Sequence, residues 1–217
     1  MKPRKFSYVD VATVAVLVAA IVVVSRPDSA LRAPVEGRIS DFRMRLRIDD
    51  AWNMQVQTST PLYAGEASAQ VIEFSDYECP FCRALNPSVD SALLAGIKVA
   101  YLHYPIASHP NAKRAALLAI CARQFNKFGE VHDYLMTSSA WQQDSNWSAL
   151  PELAGLYADS RFELCLTDQA TVATLERHKS LGDGLRIQGT PTLVSQSAFF
   201  SRVVSAHDIQ GMARQRR

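Results

Sequence analysis

Two cysteines held in the order Cys79-Pro80-Phe81-Cys82 sit four residues after a short run of strand-forming residues and just ahead of a helical pattern. The run Gln70–Ser75, Gln-Val-Ile-Glu-Phe-Ser, is rich in β-branched and aromatic residues and reads as a buried strand. Arg83–Ala95 carries Leu85, Val89, Leu93 and Leu94 at helical spacing, and Gly96 stands where such a helix would stop. Ile97–Tyr104 reads as the next strand. Strand, helix and strand in this order form a βαβ unit, with both sulfurs at the opening of its helix.

A Cys-x-x-Cys pair serves both zinc sites and redox couples. Zinc ribbons add a second closely spaced Cys/His pair. Here Cys121 and Cys165 stand alone, far along the chain, and the histidines His103, His109, His132, His178 and His207 have no ligand spacing. Neither a metal nor another cofactor is expected. A redox pair instead needs one reachable sulfur at a helix N-terminus, where free N–H groups favour the thiolate, and a second sulfur one turn deeper. Cys79 and Cys82 meet that spacing, and Pro80 suits a first helical turn.

The sequence has 217 residues, 48% of them hydrophobic, room for one domain and a tail. Val9–Ser25 is apolar except for Asp10, Thr13 and Ser25, and it follows Lys2, Arg4 and Lys5. A helix there would span roughly 25 Å, near a hydrocarbon core of about 30 Å. The expected layout is a cytoplasmic basic tail (1–8), a transmembrane signal anchor (9–25) and a stalk with an edge strand near 54–58 (26–60). A globular domain (61–217) follows, outside the membrane. Cleavage as a signal peptide is the alternative, although a cut after Ala30 would place Asp28 at the −3 position. Helical patterns over 110–128, 129–137, 150–157, 161–166 and 170–185 follow the βαβ unit. Strands at 189–194 and 199–204 and a helix at 206–214 then close the chain. The formal net charge is only +2, with acids and bases balanced beyond residue 30, so no nucleic acid is expected as a partner.

Val-Ile-Glu-Phe-Ser-Asp-Tyr-Glu-Cys-Pro-Phe-Cys resembles the active-site segment of the DsbA-like oxidoreductases of the thioredoxin-fold superfamily. The resemblance continues through His109-Pro110, Ala119-Ile120-Cys121-Ala122, His132-Asp133, Arg161-Phe162-Glu163-Leu164-Cys165-Leu166 and Gly189-Thr190-Pro191-Thr192, covering roughly 61–210. It implies an α/β thioredoxin fold with an all-helical insertion at about 108–168. It also implies a nucleophile at Cys79 and a resolving thiol at Cys82, joined as a redox disulfide in the oxidised form. Pro191 matches the family's cis-proline and, with Thr190, Pro80 and Phe81, would meet the client. Glu73 matches its buried acid, which exchanges a proton with the resolving cysteine. Cys121–Cys165 matches a structural disulfide of many relatives. Where the strongly oxidising member has histidine, this chain has Phe81, and Asp76 and Glu78 add negative charge. These changes lead to an expected potential below about −120 mV.

The expected function is an extracytoplasmic thiol–disulfide oxidoreductase, membrane-anchored and periplasmic or at the cell surface. It would act as a dithiol oxidase on exported client proteins with cysteines and be serviced by a membrane redox partner. A disulfide reductase or isomerase, and a thioredoxin-fold peptide-binding chaperone or assembly factor, are the rival readings.

Overall fold

The computed structural model describes residues 21–22, 48, 60–61, 69–143, 160–196 and 198–214. The chain divides into two compact units, Met1–Leu46 and Arg47–Arg217. In the first, only Ile21 and Val22 are described, both helical and exposed. The rest of the anchor expected over 9–25, the edge strand near 54–58 and the helix over 150–157 lie outside the described residues. No helix among those described is long and apolar enough to cross a membrane.

The second unit is a mixed sheet clad in helices. Its elements are β1 (Thr60–Pro61), β2 (Val71–Ser75), α1 (Pro80–Leu94), β3 (Val99–His103), α2 (Ala112–Gln124) and α3 (Phe128–Thr137). After these come α4 (Ser160–Thr167), α5 (Gln169–Gly184), β4 (Thr192–Val194), β5 (Phe199–Phe200) and α6 (Ala206–Arg214). The strand order is β1-β3-β2-β4-β5. Central β2 runs parallel to β3 and antiparallel to β4, which is the outcome of a βαβ crossover followed by a hairpin. This is a thioredoxin fold in which helices α2–α5 stand between β3 and β4.

All five residues of β2 and all five of β3 are buried, so these strands are covered on both faces and read as near-continuous apolar runs rather than alternating ones. On one face Val71 and Val99 pack with Leu85, Val89 and Ala92 of α1 and with Ile209, Met212 and Ala213 of α6. Helix α1 ends where glycine is needed. Gly96 has φ +81°, its N–H bonds Leu93 O, and Ile97 N–H bonds Ala92 O, the paired bonds of a Schellman stop. At the other end α1 begins at Pro80, a turn earlier than the apolar spacing indicates. Cys79 is its N-cap and Pro80 occupies the first position, where a missing N–H costs nothing.

The C-terminal hairpin is shorter than expected and is closed without a glycine turn. Strand β5 covers only Phe199–Phe200 instead of reaching Val204. The β4–β5 connection lacks an Asn-Gly turn, and Ser195 takes over its work. Ser195 N–H donates to Ala198 O at 2.8 Å, and Ser195 Oγ accepts from Ala198 N–H at 3.0 Å.

Helix α5 packs closely enough on the opposite face to require a glycine. A Cβ on Gly182 would lie 2.5 Å from Tyr104 Cε2, whose ring is tethered by a 2.7 Å bond from its hydroxyl to Asp183 Oδ1. Removing a helical glycine gains up to about 1 kcal/mol, whereas overpacking costs roughly 1–3 kcal/mol. Gly182→Ala is therefore expected to destabilise the domain in urea unfolding, with the clash outweighing the gain in helix propensity.

Candidate active site

The two cysteines of the 79–82 pair are unbridged. Cys79 caps α1 at the top of the sheet, and Cys82 lies one turn in, fully buried, its sulfur accepting the Asp76 N–H at 3.4 Å. Opposite Cys79 is the Thr190–Pro191 peptide bond, which is cis. In the thiol form Cys79 Sγ donates to the Thr190 carbonyl at 3.3 Å. Topology brings these residues, 111 positions apart in sequence, together: β2 and β4 are neighbours, so the turn before β4 meets the turn after β2.

The surroundings of Cys79 favour its thiolate. Its pKa is pulled down to about 5, first by a hydrogen bond from the Cys82 thiol, against the opposing effect of burial. Further lowering comes from the Thr190 side chain and from the backbone N–H groups of Cys82 and Phe81 at the helix start. The Thr190 hydroxyl is buried without a hydrogen-bond partner when the sulfur carries its proton, so it is available to turn toward the thiolate. Burial and the same pairing push the Cys82 thiol far upward. Two neighbouring sulfurs with pKa values forced apart give one nucleophile and one protonated partner.

Cys79 is less open than a reactive sulfur was expected to be, at 4% exposed, because the Thr190–Pro191 turn covers it. The neighbouring Phe81 stands out at 62% exposed, and Pro80 is exposed as well. Thr190 is partly exposed beside them.

The two carboxylates near the sulfur, Asp76 and Glu78, are both engaged by hydrogen-bond donors. Asp76 accepts the Glu78 N–H at 2.8 Å, the Ile106 N–H at 2.9 Å and a contact from His109 Nδ1 at 2.7 Å. Glu78 accepts the Asn111 N–H at 2.7 Å, at the N-cap of α2. Both carboxylates are thus occupied in tying the active-site turn to the segment before α2. Partial burial opposes protonation of His109, but its bond to Asp76 prevails, with help from the charges of Asp76, Cys79 and Glu78, and raises its pKa. That places an imidazole with a favoured cationic form within electrostatic reach of Cys79. The sequence marks His109 only through its His-Pro pair; the Asp-x-Glu spacing ahead of Cys79 is the available signal for its partner.

Glu73 sits beneath this pair on central β2, 2% exposed rather than on an edge. Burial holds its carboxyl up at about 7, with Asp90 adding to the rise. Around it is a buried aromatic and imidazole group. Tyr77 stacks on Tyr101 with ring centroids 5.5 Å apart, and the Tyr77 hydroxyl meets His132 Nδ1 at 3.1 Å. His132 Nε2 lies 3.2 Å from Asn86 Oδ1, and burial keeps this ring neutral down to about 3. Cys121 and Cys165 are joined by a disulfide, S–S 2.08 Å, which links α2 to α4. Among the described residues no cluster of His, Cys, Asp and Glu could hold a metal ion.

Comparison with known proteins gives a consistent fold. Residues 57–212 match the family model described as Thioredoxin. Na(+)/H(+) antiporter NhaA 3 of Salinispora tropica is 31% identical over 130 residues, which are 58% of this chain and 20% of the antiporter. The chain thus spans about a fifth of the length of the curated relatives it matches. Two solved structures share its fold. A thioredoxin-like oxidoreductase from Silicibacter pomeroyi has TM-score 0.66 and 24% identity, covering 73% of this chain and 94% of its own. The thiol-disulfide exchange protein alpha-DsbA2 from Wolbachia pipientis has TM-score 0.70 and 18% identity, covering 81% and 96%.

Proposed function

The chain belongs to the thioredoxin family, and from that premise we propose that it is a protein thiol–disulfide oxidoreductase acting through Cys79 and Cys82. The observation that carries this reading is the divergence of the two sulfurs, with Cys79 held down at about 5 and Cys82 pushed up. In one direction the Cys79 thiolate attacks a client disulfide. A mixed disulfide forms and one client sulfur leaves. Cys82 then loses its proton and attacks Cys79 Sγ, releasing the second client sulfur as a reduced thiol and closing Cys79–Cys82. The oxidase direction is the reverse: a client thiolate attacks Cys79, Cys82 leaves and takes up a proton, and a second client thiolate displaces Cys79.

We favour the oxidase direction because stabilising the Cys79 thiolate stabilises the reduced enzyme, and a stabilised reduced form makes the disulfide the stronger oxidant. A thiol at about 5 falls between thioredoxin, near 7, and the strongest oxidant of the family, near 3.5. The potential should accordingly lie between about −270 and −120 mV. Glu73, buried on β2, is the acceptor and donor for the Cys82 proton. Clients would approach the exposed Phe81 and Pro80 and align along Thr190–Pro191 as a short added strand. A cleft lined by His109, Pro110 and Lys113 on one wall and by Leu175, Ile187 and Gln188 on the other runs beside that turn.

The setting belongs to the same proposal: residues 1–8 inside, an anchor over 9–25, a stalk over 26–60 and a catalytic domain from 61 outside the cytoplasm. A periplasmic thioredoxin-like protein from Salmonella enterica shares the fold. Clients would be exported proteins bearing cysteines, and a membrane partner would restore the oxidised form.

Equilibration with a glutathione series, together with oxidation of a dithiol peptide and reduction of insulin, tests the reading. Cys79→Ser should lose both activities. Silence of the unaltered protein in both assays, with peptide binding intact in a Cys79→Ser/Cys82→Ser protein, would instead identify a binding module.

A further inference from the structure

The face of β2 below the redox pair carries two hydroxyls that nothing in the exchange chemistry has yet used. Glu73 and Ser75 are two apart on β2 and so share a face, the one that packs under α1. Tyr101 is the register partner of Glu73 on β3, and His103 is the partner of Ser75. Ser75 and Tyr101 are 1% and 0% exposed, and neither Ser75 Oγ nor Tyr101 OH completes a hydrogen bond. Leaving a buried hydroxyl unsatisfied is costly, so two of them on one buried face call for a purpose. Ser75 also lies next in sequence to Asp76, whose N–H holds the Cys82 sulfur. Ser75 therefore stands between the acid and the resolving thiol. It is close enough to influence the titration of Glu73, Cys82 and Tyr101 alike, yet in bonding geometry with none of them.

We infer that Ser75 Oγ is the relay through which Cys82 and Glu73 exchange a proton, with the Tyr101 hydroxyl holding the serine rotor between them. The inference rests on the proposal that Glu73 takes the Cys82 proton, and adds the route. A serine hydroxyl donates one proton and accepts through its lone pairs, and its hydrogen turns freely, which suits a group that must pass a proton in both directions. Closing the disulfide, Cys82 S–H gives its proton to Ser75 Oγ while the Ser75 hydrogen passes to the Glu73 carboxylate. The result is a Cys82 thiolate, an unchanged serine and a neutral Glu73. Opening the disulfide runs the same transfer backward. Ser75 acts on Cys82 and Glu73 only, and does not touch the client.

The surroundings leave Glu73 as the group of this cluster poised near neutrality. Cys82 and Asp90 of α1, Tyr77 before α1 and Tyr101 of β3 interact with it electrostatically; His103 is next on that face of β3, and His132 and Asp133 of α3 neighbour Tyr77. Burial pushes both tyrosines well up and both imidazoles well down, so these four do not change charge near pH 7. Partial burial raises Asp90 and Asp133 above the usual aspartate range.

Rapid mixing of the reduced full chain with glutathione disulfide separates the two steps. Formation of the Cys79–glutathione mixed disulfide should be unchanged in Ser75→Ala. The Cys82-dependent closure should slow by at least about tenfold at pH 7, part of the roughly 10²–10⁴ that a positioned proton acceptor supplies. Its pH midpoint should rise, because the serine donor that eases Glu73 toward its carboxylate is gone. Ser75→Thr, which keeps the hydroxyl on a strand-compatible side chain, should restore both rate and midpoint. In a Glu73→Gln background Ser75→Ala should add no further slowing. Closure at the unaltered rate in Ser75→Ala, or full slowing retained beside Glu73→Gln, overturns the relay. Failure of the unaltered chain to form the mixed disulfide would sink the proposed function instead, so the two failures are distinct.

Discussion

Cys82→Ala is expected to halt exchange at the mixed disulfide, so that clients accumulate covalently on Cys79 while turnover falls to the level of Cys79→Ser. The reason is geometric: Cys82 lies one turn into α1 and, in the 79–82 pair, is the sulfur placed to attack Cys79. The same substitution should carry a second signature. The largest influence lowering Cys79 is the hydrogen bond from the Cys82 thiol, and alanine removes it. The fraction of Cys79 in the thiolate form increases with pH, so its alkylation by iodoacetamide should be half-maximal near pH 5 in the reduced chain. In Cys82→Ala that midpoint should move up toward the ordinary range. At pH 7 an ordinary thiol near 8.5 is only about 3% ionised, whereas one near 5 is about 99% ionised. The midpoint is a cleaner readout than the rate, because a lower pKa also makes each thiolate less nucleophilic. Capture of clients by Cys82→Ala but not by Cys82→Ala/Cys79→Ser confirms the assignment. Capture by neither, or by both, removes Cys79 from the chemistry. A midpoint that stays near 5 would shift the credit from Cys82 to Thr190 and the helix terminus.

What sequence could reveal followed from how local each feature is. The β2–α1–β3 unit was legible because a β-branched run, a Cys-Pro pair and a helical stripe are consecutive, and each period speaks for itself. The stop at Gly96 was legible for the same reason, since a left-handed residue there favours glycine. The start of α1 was legible from the Cys-Pro pair rather than from periodicity: Pro80 and Phe81 carry no apolar stripe, and the capping position of Cys79 sets the boundary. The roles of Asp76 and Glu78 could not be read locally at all. Their partners His109 and Asn111 lie 33 residues on, across β3, and only the parallel pairing of β2 with β3 brings that segment back. Counting their charges against the thiolate therefore left out the donors that both carboxylates engage. Likewise His103 and His132 look unremarkable in the chain, yet they build the buried wall behind Tyr77 and Tyr101. Ser75 was overlooked because a serine ending a strand is ordinary; its meaning comes from standing between an acid below and a sulfur above.

Removing the Cys121–Cys165 bridge as Cys121→Ala/Cys165→Ala should weaken the fold without retuning the redox pair. The bridge spans 44 residues from α2 to α4, and a closed loop of that size restricts the unfolded chain by about 4 kcal/mol on the chain-entropy account. For a domain of this size each kcal/mol moves the melting temperature by roughly 2–4 °C, so a fall of about 8–16 °C is expected in calorimetry. Both sulfurs are buried among Leu118, Phe162 and neighbouring apolar residues, with Thr171 Oγ1 at 3.3 Å from Cys165 Sγ and 3.8 Å from Cys121 Sγ. Alanine leaves that pocket slightly underfilled, which adds to the loss rather than offsetting it. The influences that set the Cys79 thiolate come instead from Cys82, Thr190 and the first turn of α1. Below the new melting temperature the alkylation midpoint should therefore remain near 5. A midpoint that moves with the bridge would show that the helical segment tunes the active site through their shared core. A melting temperature that does not move would show that packing of α2 against α4 and α5 already confines these helices in the unbridged chain.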